Sequence, residues 1–249
     1  MTRDAPDWLK RPIAHRGLHE EAKGIVENSA SAVEAAIAQG YAIEVDLQCA
    51  AHGAPIVFHD RTLDRLTAER GPVAARDAAA LCDIALPNSK DRILSLDQLL
   101  RIVDGQVPLV IDVKSAWSGD HTYERNIAAT LEAYKGHVAV MSFDPECIAT
   151  FRQVAPSLPR GLVSERFEDR HYWPDLSAGQ RFAMRHLLTA TIARPNFIAY
   201  DIKALPALAP GIARDLFRLP LLTWTVRNEA DKANAQLFAD AMIFEGIEP

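Results

Sequence analysis

Cysteine is scarce in this sequence: Cys49, Cys82 and Cys147 are the only three in 249 residues, odd in number and widely spaced. They form no CxxC pair and no zinc-ligand spacing, so a disulfide scaffold and a zinc ribbon are excluded. Buried free thiols in a reducing cytoplasm are the expectation. Long hydrophobic runs are also missing. No window approaches the roughly eighteen consecutive apolar residues of a membrane-spanning helix, so no integral membrane contact is expected. The N-terminal stretch "MTRDAPDWLKRP" has no apolar core of the kind a secretory signal needs. Basic residues are outnumbered, with 27 Lys and Arg against 33 Asp and Glu, a net charge of −6. That balance argues against nucleic acid as a partner, because non-specific binding requires a basic surface. No low-complexity tract or internal repeat is present.

What remains is an ordinary globular composition, long enough for one large core. Short apolar runs recur with helical patterns between them, which predicts repeated βα units and a parallel sheet. Candidate strands are 11–15, 41–47, 108–113, 137–142, 160–164, 196–201, 220–226 and 241–244. Asn28 or Ser29 opens a helix ending at Gly40, Ser95 with Gln98 has capping-box spacing, Asp144-Pro145 places a cap before a first-turn proline, and Asn228 opens the last full helix. Eight such units in about 250 residues is the size of a TIM barrel. A doubly wound open sheet would more often show a glycine-rich first turn, and "HRGLHEEAKG" is not one. The reading is one domain over 1–249. The connection after the second strand is too long for a single helix, so a small insertion over 50–93 is expected, beginning with a hairpin near Gly53.

In a TIM barrel, chemistry sits where the strands end. Those ends carry His15 and Arg16, then Glu44 and Asp46, then Asp112 and Lys114. Residues two apart on a strand share a face, so each of the last two pairs projects together. A hairpin near Gly53 would bring His59 roughly opposite Asp46. Three carboxylates without thiolates suit a hard cation, Mg²⁺ or Ca²⁺ with Mn²⁺ possible. Two like charges ~5 Å apart at an effective dielectric of ~20 repel by about 3 kcal/mol, so such a cluster facing a phosphate calls for a counter-ion. Arg16 and Lys114 can grip a phosphoryl group, and two histidines can serve as acid and base near neutral pH. The remaining histidines, His19, His52, His121, His137, His171 and His186, read as surface or structural, with His19 near the rim. The charged run 166–175 reads as a solvated loop.

"IAHRG", "VENSASAVEAAIAQG", "IEVDLQ", "GAPIVFHDRTLDRLT", "GPV", "VIDVK", "SF" and "LLTWTV" together resemble the glycerophosphodiester phosphodiesterase family. The resemblance implies a TIM barrel with a small insertion after strand 2. It also implies divalent-metal-dependent hydrolysis of a small-molecule glycerophosphodiester to glycerol 3-phosphate and an alcohol. Carried over by motif, it makes His15 and His59 the acid–base pair and Glu44, Asp46 and Asp112 the metal ligands. Arg16 and Lys114 then contact phosphate, Glu27 lends support and Trp224 walls the pocket. Two departures stand out: Asp112 occupies a position more often glutamate, and the last strand runs into "MIFEGIEP" where an Asp and a Pro-containing turn are usual. Two other readings stay open at this stage, a phospholipase D-like activity on lysolipids and a catalytically silent phosphodiester-binding barrel. The oligomeric state is open as well.

Overall fold

The computed structural model describes residues 11–170 and 173–249. The N-terminal ten residues, and His171 within the 166–175 run, lie outside the described residues. Eight parallel strands close into a TIM barrel: β1 (Ile13–Ala14), β2 (Ala42–Cys49), β5 (Leu109–Val113), β6 (Val138–Ser142), β7 (Arg160–Ser164), β8 (Phe197–Asp201), β9 (Leu221–Val226) and β10 (Ala241–Phe244). Closure comes from β1, which pairs with both β2 and β10. Two short strands, β3 (Pro55–Val57) and β4 (Leu94–Ser95), extend the sheet antiparallel beyond β2.

The helices outside the barrel begin at the caps that the sequence marks. Ser29, not Asn28, caps α1 (Ala30–Gln39), and Gly40 ends it in the left-handed region. Ser95 and Gln98 form a complete capping box on α3 (Leu96–Val103). Asp144 caps α5 (Pro145–Val154) and Asn228 caps α9 (Glu229–Phe238). Each cap satisfies amides that would otherwise be orphaned, worth about 1 kcal/mol apiece. The ring is completed by α4 (Thr122–Glu132), α6 (Ala178–Arg185), α7 (Ala190–Ala193) and α8 (Leu208–Asp215). Among the described residues no helix is long and apolar enough to cross a membrane.

Strand alternation builds the interior and then the site. Ile13, Ala42, Val110, Ala139, Met141, Val163, Phe197, Ala199, Leu222 and Ile243 fill the barrel. The same inward parity continues from Ala42 to Glu44 and Asp46, from Val110 to Asp112, and from Leu222 to Trp224. The packed hydrophobic floor therefore gives way to polar groups at the C-terminal rim. A Cβ on Gly161 would lie 2.1 Å from the Phe197 ring. That position has to be glycine for so large a side chain to fill the barrel from the next strand.

Residues 50–93 form a small layer with its own apolar cluster, including Ile56, Phe58, Leu63, Leu66, Val73, Leu81 and Ile93. It contains one short helix, α2 (Ala78–Cys82). A 3-10 turn over Ala51–Gly53 reverses the chain, and β3 runs back along β2 with Leu47 opposite Val57. The backbone amide of Phe58 then donates to the Asp46 carbonyl. The register thus places Phe58, not His59, opposite Asp46, one residue from the expected pairing. His59 follows immediately and reaches the rim from there.

Candidate active site

A cavity of about 360 Å³ opens at the C-terminal rim and is lined by His15, Arg16, Glu44, Asp46, His59, Asp112, Lys114 and Trp224 among others. Every candidate from the sequence except Glu27 faces this space. Glu27 stands behind Arg16, accepting from its Nη1 at 2.8 Å.

The loop after β1 has to turn sharply to present His15 and Arg16. Arg16 has φ +56° and Gly17 φ +77°. A Cβ on Gly17 would sit 2.8 Å from the Ala32 backbone, so the third residue of "HRG" is glycine for both conformation and space. The strained Arg16 backbone is held from two sides. Its amide donates to Glu44 Oε2 at 2.9 Å, and its carbonyl accepts from the Asn28 amide at 2.9 Å.

Asn28 also has a positive φ and is buried. Its Nδ2 donates to Asp46 Oδ2 at 2.9 Å, while its Oδ1 accepts from the Asp46 amide at 3.1 Å. Because Ser29 takes the helix cap, Asn28 is left to clamp Asp46, a role the sequence alone does not reveal.

Glu44, Asp46 and Asp112 are buried and offer oxygens that lie within 4.8 Å of one another. Their electrostatics are opposed. Burial, reinforced by the adjacent Asp46 and Asp112 carboxylates, pushes the Glu44 carboxyl well above its usual range. Burial also works against ionisation of Asp46, but Lys114 and Arg16 outweigh it and hold Asp46 well below. Lys114 Nζ lies 2.8 Å from Asp46 Oδ1 and 2.6 Å from Asp112 Oδ2, and Arg16 Nε lies 3.0 Å from Asp46 Oδ2. Asp112 Oδ1 is buried and finds no hydrogen-bond partner. An orphaned carboxylate oxygen beside a carboxyl resisting ionisation gives a donor set that fits a hard cation.

Each histidine is braced by a carboxylate. His15 Nδ1 lies 2.7 Å from Glu245 Oε2, and His59 Nδ1 lies 2.7 Å from Asp60 Oδ1. The His15 hydrogen bond, helped by Arg227 at 2.8 Å, holds Glu245 well below the carboxylate range. Burial lowers the His15 pKa despite Glu245, so the ring is neutral near pH 7. An ionised carboxylate only accepts, so Nδ1 carries the proton and Nε2 keeps its lone pair. That Nε2 sits 4.0 Å from Glu44 Oε2. Burial works against ionisation of Asp60 too, but hydrogen bonds from His59 and Arg65 outweigh it and hold it low. Arg65 reaches on to Glu27 Oε1 at 2.8 Å, tying the insertion to the loop after β1.

Asp60 lies in the "HD" string, whereas the Arg65–Glu27, Arg227–Glu245 and His15–Glu245 pairs join across longer sequence separations. Of the remaining described histidines, His52, His137 and His186 are exposed. His19 is the exception, grouped with His15 and Glu245 at the rim. The 166–175 segment departs from the solvated loop expected of it. Phe167 and Trp173 are buried there and pack on Met184, because aromatic content outweighs the flanking charges.

Residues 15–247 match the glycerophosphoryl diester phosphodiesterase family. Glycerophosphodiester phosphodiesterase 1 of Bos taurus is 26% identical over 179 residues, which is 64% of this chain and 50% of that protein. The matched part thus spans about half the length of that curated relative. Two solved structures share the fold. An Oleispira antarctica phosphodiesterase, determined with its product sn-glycerol-3-phosphate, has a TM-score of 0.75 at 17% identity, covering 95% of this chain and 93% of that one. A Thermotoga maritima glycerophosphodiester phosphodiesterase has a TM-score of 0.69 at 18% identity, covering 93% and 92%. The barrel, the rim and the match over nearly all of its length agree, and the chain belongs to the glycerophosphoryl diester phosphodiesterase family.

Proposed function

We propose that this protein hydrolyses a glycerophosphodiester to glycerol 3-phosphate and an alcohol, using a divalent cation held by Glu44, Asp46 and Asp112. The observation that carries the reading is two carboxylate-braced histidines facing one three-carboxylate cluster in one cavity. With Glu44 ionised, as a bound cation would make it, Glu27, Glu44, Asp46, Asp60, Asp112 and Glu245 are set against Arg16, Arg65, Lys114 and Arg227, an excess of two negative charges before the histidines are counted. One dication balances it, and Mg²⁺ or Ca²⁺ suits the all-oxygen donors, with Mn²⁺ as an alternative. When bound, such an ion stabilises charge on the phosphoryl oxygens and orients the diester.

The protein's own groups supply the rest. Arg16 and Lys114 meet the phosphoryl oxygens, the former as a planar fork. Neutral His15 takes a proton through Nε2 from the attacking oxygen, either water or the neighbouring glycerol hydroxyl, the latter closing a cyclic phosphate that water then opens to glycerol 3-phosphate. His59, held through Nδ1 by Asp60, gives a proton to the departing alkoxide. Trp224 walls the cavity, and Glu27 fixes Arg16 and Arg65. The cavity volume suits a small molecule. The three free thiols are compatible with a cytoplasmic setting.

The test is release of glycerol 3-phosphate from a panel of glycerophosphodiesters with Mg²⁺, Mn²⁺ and Ca²⁺ in turn. Release from at least one diester is expected, and silence across the panel from folded protein would overturn the reading. Asn28→Ala removes the two hydrogen bonds that Asn28 makes to Asp46. Outer-sphere partners of this kind typically carry about 10–100-fold in metal affinity or rate. A loss of that size, read by titrating activity against metal, is expected with the fold intact by circular dichroism.

A further inference from the structure

His19 follows His15 by four positions, and the loop after β1 folds back between them. The Gly17 amide donates to the Ala14 and Glu44 carbonyls, and the Leu18 amide donates to the Ala32 carbonyl. This reversal sets His19 beside His15 and the end of β10. His15, His19 and Glu245 each offer a ligand atom there, and the three atoms lie within 4.8 Å of one another.

The group differs in kind from the three carboxylates. Two imidazoles and one glutamate form a donor set that suits Zn²⁺, whereas Mg²⁺ and Ca²⁺ favour oxygen alone. The His19 ring supplies an independent sign. Its Nε2 is buried and finds no hydrogen-bond partner, a need that folding ordinarily meets. His15 presents Nδ1, the atom facing Glu245 Oε2 at 2.7 Å. Glu245 is partly exposed, which gives an ion a path from solvent. Its other partner, Arg227, is 54% exposed and yields to water when a metal takes the carboxylate.

We propose that His15 Nδ1, His19 Nε2 and Glu245 form an inhibitory Zn²⁺ site. The effect on the reaction comes through the tautomer of His15. A neutral imidazole has a single ring lone pair. When Nδ1 gives that pair to the metal, its proton passes to solvent and Nε2 takes one up. Nε2 is then a donor and no longer accepts from the attacking oxygen. Zn²⁺ thus silences the base while the three carboxylates keep their own cation. The inhibition rests on the role of His15 in the hydrolytic reading, but the binding of the ion does not.

The test titrates Zn²⁺ into protein kept saturated with Mg²⁺. Calorimetry should show a single Zn²⁺ per chain, and turnover of glycerophosphocholine should fall by about 10²–10⁴-fold, the worth of a general base. His19→Gln leaves His15, Glu245 and the carboxylates in place, so its activity without Zn²⁺ should match wild type. Its loss of Zn²⁺ affinity should exceed the about 10–100-fold typical of outer-sphere partners, because a ligand is gone, and inhibition should weaken in step. Glu245→Gln, read by calorimetry alone, should weaken Zn²⁺ binding as well. In protein that cleaves no diester, Zn²⁺ binding lost in both variants keeps the site and removes the hydrolytic reading instead. Absence of Zn²⁺ binding, or binding unchanged in His19→Gln, overturns the site. So does inhibition that rising Mg²⁺ relieves and His19→Gln does not, which would put the ion on Glu44, Asp46 and Asp112.

Discussion

Asp46→Asn is expected to lower kcat/KM by about 10³-fold or more, without recovery at high metal, and chelation should take the wild type to the same floor. Metal stabilisation of phosphoryl charge is worth several kcal/mol, and ~4 kcal/mol corresponds to that factor. Asp46 is the centre of the cluster, touched by Arg16, Lys114 and Asn28, so its loss removes a ligand and also leaves two half-buried cations poorly matched. Glu44→Gln separates the two effects. Burial and its neighbours already disfavour the Glu44 anion, so the neutral amide should leave the metal-free fold intact while deleting a ligand. A melting temperature near wild type with a comparable loss of rate is the expected signature. Asp112→Glu should retain activity, because it restores the longer side chain more usual in the family, and should shift the order of preference among Mg²⁺, Mn²⁺ and Ca²⁺. Full activity in excess EDTA, after metal removal is verified, would sink the metal-dependent reading altogether.

The barrel was legible because its signals are local. Each strand is a short apolar run bounded by caps and turns, and the alternation that packs Val110 and Leu222 inward also aims Asp112 and Trp224 at the rim. The insertion announced itself by length alone, since one helix cannot fill that connection. Its hairpin register did not, because the turn centres on His52, pairing Cys49 with Pro55 and Leu47 with Val57 and so setting Phe58 rather than His59 opposite Asp46. Asn28 was ambiguous for a different reason. It stands beside a better cap, and only the fold shows that Ser29 takes the amide and frees Asn28 for Asp46. That Glu245 meets His15 and Arg65 meets Glu27 lay beyond sequence reasoning because those partners are 230 and 38 residues away. The two histidines could be named from motif, but the carboxylate that tunes His15 could not.

That tuning decides the last prediction. His59→Ala should depress cleavage of glycerophosphocholine by about 10²–10⁴, or roughly 3–5 kcal/mol, and spare much of the rate on a p-nitrophenyl diester with the same glycerol half. A simple alkoxide needs a proton to leave, whereas p-nitrophenolate departs without one. His15→Ala should slow both substrates, because activation of the attacking oxygen precedes either departure. The geometry favours this division of labour. His15 is held neutral by burial with its proton fixed on Nδ1 by Glu245, which leaves Nε2 as the acceptor. His59 is braced through Nδ1 by an Asp60 that Arg65 holds ionised, which fixes the ring and leaves Nε2 to serve the departing oxygen. Selective rescue of His15→Ala by the activated diester would exchange the roles. Near-normal rates in both variants would remove the histidines from the chemistry and leave the three carboxylates as a metal site that works without them.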